Sequence, residues 1–280
     1  MNNRIDVKKT YKLFINGAFP RSESGRTYEI KNAKGVFIAN PCLASRKDLK
    51  DAVVAARAAQ SGWNKASAYN KGQIIYRIAE MLESRRAQFV DEIIDFTGAT
   101  KIKAQKEVTD CVDRLVWYAG WTDKLSSLTG ALNPVAGPYY NFTLPESMGV
   151  IAAIAPESPS LLGLIDAIAP IIVGGNTVVV LASTKAPLSA MSFAEVLATS
   201  DVPIGVINIL TGKKEEIAPW MASHMDIDGF DISGLDAKSH GAVRIAGAEN
   251  LKRIFRFKSA NPGRILAFLE NKTVWHPIGL

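Results

Sequence analysis

Cysteine is scarce in this chain: 280 residues hold only Cys42 and Cys111. They lie far apart and neither has Cys-x-x-Cys spacing. That argues against a disulfide framework or a zinc site and suits a cytoplasmic protein. Histidine is also sparse. His224, His240 and His276 fall in three different segments, so no metal-ligand group is expected. Aromatic residues are 8% of the chain and are not interleaved with basic ones, so no base-stacking platform is expected. No apolar run approaches the length of a membrane span. Residues 1–12 lack the apolar core and cleavage-like site of a secretory signal. The net charge of +6 is scattered, with small groups at Lys8–Lys9, Arg85–Arg86 and Lys213–Lys214. A scattered excess of this size reads as a solvated surface. Neither nucleic acid nor a membrane is therefore expected as a partner.

What is present is an ordinary globular balance, 48% hydrophobic and 21% charged, over a length that fits one large domain or one domain with an appendage. Five apolar runs alternate with helix-length amphipathic stretches: Gly149–Pro156, Asn176–Ser183, Val206–Gly212, Asp228–Ser233 and Lys252–Phe257. Strand-like runs alternating with helical patterns predict βαβ units and a parallel sheet covered on both faces. Val178, Val179, Val180 and Leu181 do not alternate with polar residues, as expected of a strand buried on both sides. The fold class is α/β, a doubly wound parallel sheet. Such sheets bind ligands beyond the carboxyl ends of their strands.

Ahead of this core, Tyr11–Phe19 reads as a strand and turn, with Asn16-Gly17 as the hairpin signal. Short strands are expected near Tyr28–Ile30 and Val36–Ala39. Ser45 and Asp48 have capping-box spacing. Leu49, Val53, Ala56 and Trp63 follow at helical intervals, then Ile74, Ile78 and Leu82, then Phe89, Ile93 and Phe96 up to Gly98. A fourth helix is expected from about Lys101 to Trp121. Packing all four against the sheet is the economical arrangement.

Two segments stand outside that scheme. Asn133 to Pro145 breaks the helical pattern and contains a strand-like Tyr139–Leu144. The tail Asn271–Ile278 is β-like up to Pro277. Lone strands are unstable in water and seek a partner edge, so both are expected to complete their sheet with another chain, the alternative being that the tail folds back on its own domain. The candidate interface residues are Tyr140, Phe142, Leu144, Thr273, Val274, Trp275, His276 and Ile278. In the tail, Val274, His276 and Ile278 share one face; Thr273, Trp275 and Pro277 share the other.

Several motifs together resemble the aldehyde dehydrogenase superfamily: LFINGAF near the start, DAVVAARAAQSGW (Asp51–Trp63), YAGWTDK (Tyr118–Lys124), ESMGVIAAIAP (Glu146–Pro156), APIIVGGNTVVV (Ala169–Val180), APLSA (Ala186–Ala190) and IGVINILTG (Ile204–Gly212). Their order and spacing cover residues 11–257. The resemblance implies an NAD-binding α/β domain made of residues 1–132 and 146–257. It also implies a small oligomerisation element made of 133–145 and 264–280, whose Lys272-Thr-Val motif is similar to the family's C-terminal strand. No catalytic domain is found between them. This layout resembles the degenerate second domain of class-sixteen two-domain members.

Measured against the family's motifs, the functional positions differ. The first strand ends Pro156-Glu157-Ser158 where the family has Pro-Trp-Asn, whose Asn helps hold the oxyanion. Leu181 and Thr184 stand where a Lys and a Glu would grip the adenosine ribose. Ile232-Ser-Gly-Leu235 replaces Phe-Thr-Gly-Ser at the pyrophosphate turn, and Ser239 replaces a later Gly. Phe257-Lys-Ser-Ala260 replaces Glu-Leu-Gly-Gly, and Phe257 cannot act as a base. Aldehyde oxidation in this family needs a nucleophile, and no cysteine lies beyond residue 111. Each lost charged hydrogen bond costs roughly 1.5–3 kcal/mol. Three such losses predict NAD binding weaker by about three to six orders of magnitude.

The expectation is thus no catalytic, cofactor-binding or metal site, no cofactor, and NAD held weakly or not at all. The leading function is a catalytically inactive subunit pairing strands with a complete aldehyde dehydrogenase or with itself. The alternatives are an NAD-dependent aldehyde dehydrogenase with atypical residues, and a nucleotide-binding sensor without catalysis.

Overall fold

The structure is a computed structural model that describes residues 7–279. The parts of the expected spans that fall on residues 1–6 and 280 lie outside the described residues. In chain order come β1 (Ile30–Lys31), β2 (Phe37–Ala39), α1 (Arg46–Lys65), α2 (Ala68–Ser84), α3 (Arg86–Thr97), α4 (Lys101–Ala119), α5 (Leu125–Thr129), β3 (Ala131–Leu132) and β4 (Tyr139–Ser147). The alternating half follows: β5 (Val150–Ile154), α6 (Ser160–Val173), β6 (Thr177–Leu181), α7 (Leu188–Leu197), β7 (Ile207–Leu210), α8 (Lys214–Ser223), β8 (Gly229–Asp231), α9 (His240–Ala248) and β9 (Arg253–Phe255). The chain ends in α10 (Gly263–Leu266) and β10 (Leu269–Pro277).

The five expected core strands form one parallel sheet in the order β7-β6-β5-β8-β9. Successive residues of each strand feed opposite cores. Val178 and Val180 join one cluster with α2, α3, α4, α6 and α7. Val179 and Leu181 join the other, with α1 and α8. Burial on both faces is why these runs lack a polar alternation.

The four N-terminal helices occur where the apolar intervals place them. Ser45 and Asp48 form the capping box: the Ser45 hydroxyl accepts the Asp48 N–H at 3.2 Å, and the Asp48 carboxylate accepts the Ser45 N–H at 2.7 Å. α4 stops two residues earlier than expected, at Gly120. Asn16 and Gly17 turn with φ of 53° and 71°, as a two-residue hairpin requires. Phe14 then lies antiparallel against Ile209 and covers the β7 edge of the sheet.

The expectation that Tyr139–Leu144 and the tail lack partners within the chain is corrected. β10 pairs antiparallel with β4 along its whole length, from Leu269 opposite Ser147 to Pro277 opposite Tyr139. β3 adds a short third strand, giving the order β10-β4-β3. The two strands satisfy each other's backbones, so the ladder forms without a second chain. The outer edge of β10 stays open among the described residues, as does that of the short β3.

A buried ion pair fixes the segment that leads into β10. Arg264 on α10 donates to Asp231 at the end of β8 at 2.8 Å, with side chains 6% and 1% exposed. The Arg264 guanidinium also lies over the Phe257 ring. Removing one partner of such a pair leaves a bare charge in an apolar interior, which costs about 3–5 kcal/mol. Arg264→Ala is therefore expected to lose about that much stability in chemical denaturation, while Arg264→Met combined with Asp231→Leu recovers most of it. Equal losses in the two variants would show that packing, and not charge, holds the segment.

Candidate functional site

Strands β6 and β7 run out from one side of β5, and β8 and β9 from the other. The direction of winding therefore reverses between β5 and β8. This switch point opens a crevice beyond the strand ends. Ala155-Pro156-Glu157 leaves β5 here and Ile232-Ser233-Gly234 leaves β8. The Gly234 N–H donates to the Ile154 carbonyl at 3.0 Å. A Cβ at Gly234 would lie 2.2 Å from the Ala155 oxygen, so only glycine permits this approach.

One lysine organises the crevice. Lys214, at the start of α8, extends its ammonium to the Ala155 carbonyl at 2.9 Å, the Gly234 carbonyl at 2.8 Å and the Glu157 carboxylate at 2.6 Å. Its side chain is 7% exposed, and three acceptors match its three donors. Glu157 also accepts the Ser183 hydroxyl at 2.6 Å and the Lys185 N–H at 3.0 Å. Burial opposes ionisation of Glu157, but Lys214, Ser183 and the Lys185 N–H outweigh it and hold the carboxyl below its ordinary pKa. Sequence reasoning recorded Glu157 only as a departure and Lys213–Lys214 only as a surface doublet. Nothing in their spacing shows that the strand ends bring them together.

The positions singled out as departures have structural tasks. Leu181 is fully buried in the core beneath α1 and α8. The Thr184 hydroxyl donates to the Gly212 carbonyl at 2.9 Å. Leu235 is buried. Phe257 lies just past β9, and its N–H donates to the Ser233 hydroxyl at 2.8 Å. Cys42 and Cys111 are both buried. Burial, reinforced by Glu107, Asp166 and Asp110, pushes the Cys111 thiol well above its usual pKa, which is the reverse of what a nucleophile needs. No group of three or more His, Cys, Asp or Glu that could hold a metal occurs among the described residues. Likewise, no helix among them is long and apolar enough to cross a membrane.

The eight expected interface residues gather on or beside the β10-β4-β3 sheet. Tyr140, Phe142 and Leu144 share a face with Val274, His276 and Leu132. Thr273 and Trp275 share the opposite face, where Thr143 and Thr273 exchange a hydrogen bond and Trp275 meets Tyr139 edge-on. Ile278 continues beyond β10 and donates its N–H to the Pro138 carbonyl at 2.8 Å. Trp275 is 59% exposed, and Tyr140, Leu144, Val274 and Ile278 are also exposed.

The sequence model described as "Aldehyde dehydrogenase family" matches residues 19–256, which takes in the whole parallel sheet. The chain belongs to the aldehyde dehydrogenase family. It is 34% identical to retinal dehydrogenase 2 of Gallus gallus over 255 residues, covering 89% of this chain and 48% of that protein. It is 31% identical to the cytosolic 10-formyltetrahydrofolate dehydrogenase of Xenopus tropicalis over 258 residues, covering 90% of this chain and 28% of that protein. The chain thus spans about half or less of the length of these relatives. The NAD+ complex of an aldehyde dehydrogenase from Bacillus cereus superposes with a TM-score of 0.82 at 26% identity, over 88% of this chain and 50% of that one.

These findings overturn the expectation of no cofactor. That expectation treated each altered side chain as a lost contact. A solved structure that superposes on this chain is an NAD+ complex, and the winding reversal between β5 and β8 is present here. Leu181 shows where the side-chain argument fails, because the residue belongs to the core packing.

A depressed folded-state pKa makes Glu157 a source of stability at neutral pH. That contribution is present above the ordinary carboxylate range, about 4.3 for Glu, and is lost as pH falls through the lower folded value. Glu157→Gln is therefore expected to be less stable at pH 7 and to show a shallower loss of stability on acidification. Thermal melts at a series of pH values read both effects, and parallel curves for the two proteins would contradict the assignment.

Proposed function

We propose that this aldehyde dehydrogenase family chain is a non-catalytic subunit that assembles through the β10-β4-β3 sheet. Its partner is a complete aldehyde dehydrogenase or a second copy of itself. The supporting observation is the sheet itself. β10 offers an open outer edge nine residues long, and the large apolar side chains beside it are exposed. An unpaired edge with exposed Trp275, Tyr140 and Val274 fits strand addition, with aromatic anchors supplying contact area. The proposed division of the chain follows: 1–132 and 146–257 as the NAD-binding-like domain, 133–145 and 264–280 as the assembly element. Inactivity rests on chemistry: both cysteines are buried, and Phe257 stands where the family motif has its base. In this reading the layout is similar to the second domain of the class-sixteen enzymes.

Sizing by gel filtration with light scattering tests assembly. The wild type is expected to be larger than a monomer, or to enter a complex with an added complete aldehyde dehydrogenase. Deletion of 271–280 and Trp275→Asp are both expected to abolish this. A monomeric wild type that captures no partner would end the proposal, as would unchanged assembly of the deleted form.

The crevice carries a second part of the reading. The superposed Bacillus cereus structure is an NAD+ complex, so NAD+ is the candidate ligand of the strand ends. NAD+ would supply a hydride acceptor when bound. The residues that would meet it are Lys214, as a cation toward phosphate once freed from Glu157, and Gly234, as backbone that permits close approach. Lys214 is shared with Glu157, so removing the carboxylate frees the ammonium. Calorimetry is expected to show saturable NAD+ binding that tightens roughly tenfold in Glu157→Ala, within the range of one charged hydrogen bond. The same protein with NAD+ and an aldehyde is expected to form no NADH. Weaker binding in Glu157→Ala would remove Lys214 from the phosphate role, and NADH formation by wild type would refute inactivity.

A further inference from the structure

A second concavity lies away from the crevice, between the first turns of α1 and the last turns of α8. Its volume is about 650 Å³, within the range of small-molecule sites of roughly 300–1,000 Å³. Leu49, fully buried, lies at its base, and Trp220 lines it with an indole packed partly against the core. Arg46, Lys47 and Lys50 line the same cleft. All three are exposed, and none forms an ion pair among the described residues. Glu23 is the acid among the lining residues, and it is engaged by the Ser45 hydroxyl at 3.0 Å. Three cations against one carboxylate leave about two positive charges unmatched.

His224 also lines the cleft. Its Nδ1 accepts the Asp226 N–H at 3.2 Å, which assigns the proton of the neutral ring to Nε2. Burial lowers the His224 pKa, Asp226 opposes this, and Lys252, Arg46 and Lys50 add to the lowering. Arg46 and Lys50 therefore act on the same small volume as His224. Ser223 also lines the cleft, its hydroxyl donating to the Pro219 carbonyl at 3.0 Å.

We propose that this α1–α8 cleft binds an aryl phosphate, a flat ring carrying a phosphomonoester, with the ring against Trp220 and the phosphate among Arg46, Lys47 and Lys50. A phosphomonoester carries about 1.5–2 negative charges at pH 7, which matches the unmatched positive charge. Arginine and lysine both serve phosphate, arginine by paired donors and lysine as a point charge. The indole face accepts an aromatic ring without demanding its identity. The site lies at the opposite end of α8 from Lys214.

Phenyl phosphate and inorganic phosphate are the probes, titrated into the full chain and read by tryptophan fluorescence and calorimetry. Phenyl phosphate is expected to bind saturably and more tightly than inorganic phosphate. Arg46→Gln and Lys50→Gln are each expected to weaken it roughly tenfold or more. Trp220→Leu is expected to remove the preference for phenyl phosphate over inorganic phosphate. Arg46 and Lys50 are exposed, so melting temperatures of those variants serve as the folding control. Absence of saturable binding overturns the proposal. So does binding that is unchanged in both Gln variants.

Discussion

The constraint on which this structure rests is that a parallel sheet must be covered on both faces. Val178 to Leu181 can lie in a strand only because alternate side chains enter two separate cores. One core is closed by α6 and α7 with α2, α3 and α4 behind them, the other by α1 and α8. The strand ends are thereby held rigid and parallel. Groups at the strand ends, such as Glu157, Lys214 and Gly234, inherit their positions from that rigidity. Ligand sites in such sheets occur at the winding reversal for this geometric reason, because the connections diverge there and leave room.

Most of the fold was legible in the sequence, because its signals are local or periodic. Ser45 and Asp48 lie three residues apart, so their mutual capping can be read directly. Buried β-branched runs announce strands, and intervals of three and four announce the faces of α1 to α4. The family motifs were legible for the same reason, being contiguous. The pairing of β10 with β4 was not, since strand-like composition says nothing of which edge a strand finds. Lys214 and Glu157 were missed for a similar reason: their meeting is a tertiary event, visible only once β5 and α8 are placed. The cofactor expectation failed on a different ground. Summing lost side-chain contacts ignores what the backbone at Gly234 and the strand ends retain.

Arg264 and Asp231 illustrate a compensation that crosses levels. A carboxylate at the end of a fully buried strand is costly unless paired. Its partner comes from the short helix α10, which lies beyond the residues matched by the family. β10 also lies beyond that match, yet its ladder runs along β4, inside it. Phe257 extends the same junction: its ring carries the Arg264 guanidinium, and its N–H reaches Ser233, which donates its hydroxyl to Asp231. A residue that is unfit as a base is thus well used as a platform for a cation.

The junction also bears on how the crevice and the assembly sheet relate. Ser233 immediately precedes Gly234, whose carbonyl holds Lys214. Asp231 therefore sits between the ion pair that fixes α10, and through it the start of β10, and the turn that shapes the crevice. The chain of contacts is short, buried at its centre and made of charge-assisted hydrogen bonds, which are the stronger kind. Contiguity alone does not make two sites communicate; that requires an element with two arrangements which both sites bias. Here a single arrangement satisfies the Asp231 carboxylate on both oxygens, one by Ser233 and one by Arg264. The physical consequence is rigidity: the β10-β4-β3 sheet and the strand ends are held in one fixed relation, so the surface proposed for a partner is preformed.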